Sequence, residues 1–82
     1  MEGFYVQLGR AIRDRRESVH LTQEHLAERL GLSRTSLVNI EKGRQRVAVH
    51  QLVALSDALG CEPEELLKPR ITPSPSKGEE TD

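Results

Sequence analysis

Residues 23–42 read Q-E-H-L-A-E-R-L-G-L-S-R-T-S-L-V-N-I-E-K, and the spacing of their apolar positions decides the fold. Leu26, Ala27 and Leu30 share one helical face, Gly31 breaks the pattern, and Leu37 with Ile40 resumes it. Thr22 and Ser33 stand where helices need a side-chain acceptor for their first free N–H groups, whereas Gly31 and Gly43 supply the stops. The stretch therefore predicts a two-turn helix over 23–30, a glycine turn, and a second short helix from Ser33 to about Lys42. That is the layout of a DNA-reading helix-turn-helix. The residues left on the outside of the second helix are Arg34, Thr35, Val38 and Asn39. Arg can pair with guanine, Asn with adenine, and Thr or Val can touch the thymine methyl group.

Working outward, Phe4, Leu8 and Ile12 recur every fourth residue with Ala11 beside them, which predicts an amphipathic first helix ending near Glu17. A fourth helix is expected over 49–59, with Leu52, Val53, Leu55 and Leu59 forming a wide apolar face and Gly60 ending it. Ala48 offers this helix no capping side chain. Glu62-Pro63 starts a short fifth helix that ends by Lys68, with Glu64 and Glu65 suited to the positive end of its dipole. Residues 69–82 contain Pro69, Pro73 and Pro75 among small polar residues and read as a mobile tail. The expected organisation is an all-α, compact five-helix domain over 1–68 and a Pro-rich acidic tail over 69–82.

With 82 residues, 35% of them hydrophobic and 30% charged, the chain fits one globular domain and has no apolar run long enough to span a bilayer. The first ten residues have no secretory pattern, so a cytoplasmic protein is expected, bacterial or phage-encoded and associated with the nucleoid when bound. The single cysteine, Cys61, excludes an internal disulfide and a cysteine-based zinc finger, and reads as a packing thiol. Aromatic residues are confined to Phe4 and Tyr5, so no stacking platform for unpaired bases is present. The net charge of −1 conceals a division: residues 1–48 carry nine Lys/Arg against six Asp/Glu, and residues 49–82 carry three against seven. The basic face belongs to the first half, with a few well-placed phosphate contacts instead of a broad cationic surface.

Several motifs in this order resemble the lambda-repressor-like family of phage repressors, Cro proteins and bacterial relatives, often called XRE. They are L-G-R-A-I-R at 8–13, L-T-Q-E-H-L-A at 21–27, I-E-K-G-R at 40–44, and D-A-L-G followed by P-E-E-L-L. The resemblance spans Leu8 to Leu67 and implies a Cro/C1-type transcriptional regulator whose third helix enters the major groove of double-stranded DNA. It implies base-facing positions at Ser33, Arg34, Thr35 and Asn39, and a phosphate contact from Gln23. Ser33 reads more securely as a cap that also meets phosphate, and Arg34 either reads a base or touches only the backbone. Lys42, Arg44 and Arg46 follow the reading helix and look like phosphate clamps, the alternative being an ordinary solvated loop. Arg16 and Glu41 match a family pair tying helix 1 to the end of helix 3, a structural role. Three positions depart from the pattern. Arg15 replaces an apolar residue, His20 a common glycine and Ala48 a usual cap, which unsettles the end of helix 1 and the start of helix 4.

Catalysis has little to stand on. His20, His25 and His50 have no metal-ligand spacing, and no phosphate-cradling glycine loop or paired nucleophile and base occurs, so neither an enzyme nor a cofactor or metal is expected. A repressor at a near-palindromic operator is the leading reading. The alternative is an antitoxin that also regulates its own operon, for which a toxin would be a partner. A homodimer is expected, because one short helix reads few base pairs. Leu55, Leu67 and Ile71 are the interface candidates, and half-sites should lie about 10 bp apart.

Overall fold

The computed structural model describes residues 3–68, and all of its regular structure is helical. Five helices follow in order: α1 Phe4–Ser18, α2 Gln23–Leu30, α3 Arg34–Glu41, α4 Val49–Leu59 and α5 Pro63–Leu67. The expected tail over 69–82, with Ile71, lies outside the described residues. None of these helices is long and apolar enough to cross a membrane.

Each helix contributes its apolar stripe to one cluster. Ile12 of α1, Leu26 of α2, Leu37 and Ile40 of α3, Leu55 and Leu59 of α4 and Leu66 of α5 are buried together. α3 lies against α1 and α2, α4 closes over α2, and α5 bridges α1 and α4. The α1–α3 crossing is close because residue 9 is glycine. A Cβ there would collide with the Ile40 carbonyl oxygen and stand 2.8 Å from the Glu41 carbonyl carbon.

The capping expectations at α2 and α3 hold. The Thr22 hydroxyl accepts from the His25 N–H at 3.0 Å, and the Ser33 hydroxyl accepts from the Ser36 N–H at 3.1 Å. Two of the three departures are directly compensated. His20 takes the left-handed conformation, φ 61°, that the commoner glycine would adopt freely. Its N–H donates to the Glu17 carbonyl and that of Leu21 to the Arg16 carbonyl, both at 3.1 Å, so α1 still ends in a Schellman closure. Arg15 turns to the far end of α4, donating from Nε to the Leu59 carbonyl at 3.1 Å and from its Nη2 to the Gly60 carbonyl at 2.9 Å. A cation there satisfies two orphan carbonyls and faces the negative end of the α4 dipole. At the start of α4 no side chain caps the helix; Gln51 Oε1 instead accepts from the Ala48 N–H at 3.0 Å and so holds the entering backbone.

The apolar face of α4 is narrower than its sequence suggests. Leu55 and Leu59 are buried and Leu52 half-buried, but Val53 is 46% exposed, and Ser56 is buried in the place of a fourth apolar side chain. The Ser56 hydroxyl is satisfied by donating to the Val53 carbonyl at 2.8 Å. Cys61 packs against the core; burial pushes its thiol above the ordinary range, with Arg15 opposing and Glu65 and Glu62 adding to the rise. It stays a neutral thiol near pH 7.

Candidate nucleic-acid interface

Gly31 ends α2 in the left-handed conformation, φ 68° and ψ 26°, and two residues later Ser33 caps α3. The tight connection turns α3 so that Leu37 and Ile40 enter the core. Arg34 and Thr35 in the first turn are exposed, and Val38 and Asn39 are half-buried one turn on. Arg34 makes no hydrogen bond or ion pair among the described residues. Its donors are free for a ligand.

The beginning of α2 and the end of α3 are held together by one buried carboxylate. Glu41 accepts from Arg16 Nε at 2.7 Å, from Arg16 Nη2 at 3.1 Å and from Gln23 Nε2 at 3.1 Å, while Arg16 Nη1 donates to the Leu21 carbonyl at 2.9 Å. The side chains of Arg16 and Glu41 are only 11% and 2% exposed. The Arg16–Glu41 pair is where sequence reasoning placed it, but Gln23 belongs to the same network. One amide hydrogen of Gln23 is committed to Glu41 and the second remains for an outside acceptor. Ser33 is in a similar position: its oxygen is used as a cap and its O–H can still donate.

After α3 the chain alternates. Arg44 and Arg46 are exposed, with half-buried Gln45 and Val47 on the other side and exposed Lys42 preceding them. Gly43, φ 75°, lets this loop press against α1, where a Cβ would stand 2.5 Å from the Cα of Val6. The three basic side chains are thus displayed from an anchored segment. The acidic residues Glu24 and Glu28 of α2 stand beside Arg34 around one surface hollow, a neighbourhood the motif reading missed. Their four-residue spacing was the available signal, since it puts both on one face.

The chain matches the helix-turn-helix family over residues 12–66. It belongs to that family. An uncharacterized HTH-type transcriptional regulator of Methanothermobacter thermautotrophicus is 41% identical over 51 residues, covering 62% of this chain and 74% of the relative. Among solved structures, the restriction-modification controller protein C.AhdI from Aeromonas hydrophila is 35% identical with a TM-score of 0.73, covering 76% of this chain and 94% of that one. The P22 c2 repressor, solved in complex with a synthetic operator, is 34% identical with a TM-score of 0.69, covering 74% and 92%. This helix-turn-helix protein is therefore a transcriptional regulator of the XRE, Cro/C1 type with a DNA-binding fold, and not an enzyme.

Of the three dimer candidates, Leu55 is corrected. It is 0% exposed at the centre of the core, because its place on α4 between Leu52 and Leu59 points it inward, and it can meet no second subunit. Leu67 is 41% exposed, and Ile71 lies outside the described residues.

Proposed function

We propose that this regulator is a repressor that binds a near-palindromic operator as a homodimer, each α3 lying in the major groove. The observation that carries the proposal is the outward first turn of α3: exposed Arg34 and Thr35, with unspent donors, on a helix whose opposite face is locked in the core. Arg34, Thr35, Val38 and Asn39 read bases. Gln23, Ser33, Lys42, Arg44 and Arg46 hold phosphates, using the spare amide hydrogen, the spare hydroxyl and three exposed cations. Similarity to an operator-bound repressor supports the mode of binding.

Two copies related by a two-fold axis would present two reading helices about 34 Å apart, matching half-sites about 10 bp apart. Doubling the phosphate contacts reconciles useful affinity with a net charge of −1. Exposed Leu67 and Val53 take the place of Leu55 as candidates for the contact between subunits. Repression follows by occlusion of the promoter face that the dimer covers.

The test is selection of bound sequences from a random duplex pool, with light scattering of the complex. A two-fold-related motif bound by two chains is expected. In Arg34→Ala the preference at one position per half-site should be lost, with specific binding weakened by ~1 to 3 kcal/mol. Binding of single chains to a non-repeated site, or full retention of base preference in the variant, would overturn the proposal.

A further inference from the structure

We propose that Glu24 is a specificity-determining residue of this interface. Its carboxylate, on a residue that lines the same two surface hollows as Arg34, penalises DNA on which Arg34 finds only a phosphate. The inference rests on the DNA-reading role of α3 proposed above.

Two hollows flank the start of α3. One, of about 490 Å³, runs along α2 and includes Glu28 with Leu32; the other, of about 370 Å³, is bordered by Arg16, Thr22 and Gln23. Glu24 and Arg34 are the two residues that line both. They form no direct ion pair, so the carboxylate shapes the field around the guanidinium without tethering it. Glu24 lies in the first turn of α2, where the His25 N–H donates to the Thr22 hydroxyl across it and fixes the backbone from which the exposed carboxylate projects. A carboxylate at that helix end also meets the attraction of the dipole for negative charge, which would otherwise favour a phosphate.

Non-specific binding brings backbone phosphate towards the cation of Arg34, and therefore into the hollow that Glu24 shares. Charges within a Debye length repel there, so part of the Arg34 attraction is cancelled. On a matched operator the guanidinium extends to a guanine edge and makes two directed hydrogen bonds, a gain that Glu24 leaves largely intact. Glu28, one turn further along α2, lines only the first hollow and has the smaller effect.

The experiment measures binding of the full chain to a selected operator duplex and to a scrambled duplex of equal length, across salt concentrations. Glu24→Gln is expected to bind the scrambled duplex ~2- to 5-fold more tightly near 0.15 M salt, with a steeper salt dependence, and to gain less on the operator. The operator-to-scrambled ratio then falls. Glu24→Asp, which keeps the charge, should restore most of the ratio. In an Arg34→Ala background the same Glu24→Gln change should leave the ratio unaltered, a non-additivity that a general charge effect or a stability loss would not produce. An unchanged ratio in Glu24→Gln, or an equal change with and without Arg34, overturns the inference. A wild-type chain with no preference for any duplex overturns the DNA-reading proposal and this inference with it, and the failure shows before any variant is made.

Discussion

Replacing Glu41 with alanine removes the acceptor of three hydrogen bonds at once, two from Arg16 and one from Gln23. Arg16 then keeps only the Leu21 carbonyl, with its side chain 11% exposed and its bound carboxylate gone. Breaking one side of such a buried pair costs roughly 3 to 5 kcal/mol, because the remaining guanidinium stays largely out of water and cannot be neutralised. Summing three charge-assisted bonds at about 1.5 to 3 kcal/mol each would give about 4.5 to 9 kcal/mol, mostly above that range; the bonds share one carboxylate and are not additive. A domain of this size has about 5 to 10 kcal/mol in all. The variant should therefore lose about 30% or more of its stability and melt roughly 12 °C or more below wild type. Thermal and urea melts followed by far-ultraviolet circular dichroism measure this, with the urea slope confirming that the same surface is exposed. Replacing both partners with apolar residues of similar size, Arg16→Met with Glu41→Leu, should cost less than Glu41→Ala alone. A Glu41→Ala midpoint within about 1 kcal/mol of wild type, at unchanged slope, would refute the reasoning.

Three further outcomes follow from separate features. Gly9→Ala places a methyl group against the α3 backbone at Ile40 and Glu41, which cannot move aside, so α1 and α3 must separate; calorimetry should show a loss of ~3 kcal/mol or more, and a near-native midpoint would contradict the close crossing. His20→Gly relieves a left-handed histidine at about 1 to 2 kcal/mol against the extra chain entropy of glycine, leaving a gain of roughly 0.5 to 1 kcal/mol that should raise the melting temperature by a few degrees; a decrease would speak against strain at φ 61°. Arg44→Ala and Arg46→Ala should each lower the salt slope of DNA binding by about one unit while base preference survives, and unchanged slopes in both would remove the clamp assignment.

Most of the architecture was legible because local chemistry and apolar spacing agree. Thr22, Gly31, Ser33 and Gly60 punctuate the chain as their preferences dictate, and the buried residues of α1, α2 and α3 are those that share a helical face. What was not legible depends on partners distant in sequence. Arg15 looked like a defect in an apolar stripe, yet its guanidinium closes the end of α4, 44 residues away. Ala48 does leave α4 without a capping side chain, as its sequence says, and the contact at this helix start is the reverse one, from the Ala48 N–H to Gln51. The α4 pattern overstated its buried face because a run of apolar residues gives no phase until a neighbour fixes one. Packing against α2 and α5 put Leu55 inside and left Val53 in solvent.

The same distinction explains how this fold separates stability from recognition. Glu41 is the last residue of α3, Arg16 lies near the end of α1, and Gln23 is the first residue of α2, so a single carboxylate sets the relative placement of the three helices that frame the reading surface. The proposed readers Arg34, Thr35 and Asn39 take no part in that network. Substitutions at Arg34 or Thr35, both exposed, should therefore change which base sequence is bound with little effect on melting temperature. Substitutions at Arg16 or Glu41 should do the reverse, weakening operator and scrambled DNA together as the folded population falls. Gln23 spans both classes, with one amide hydrogen inside the network and one outside it. Gln23→Ala should accordingly lose both a little stability and a phosphate contact, whereas Gln23→Glu sets a second carboxylate against Glu41 and should be the more damaging change on both counts.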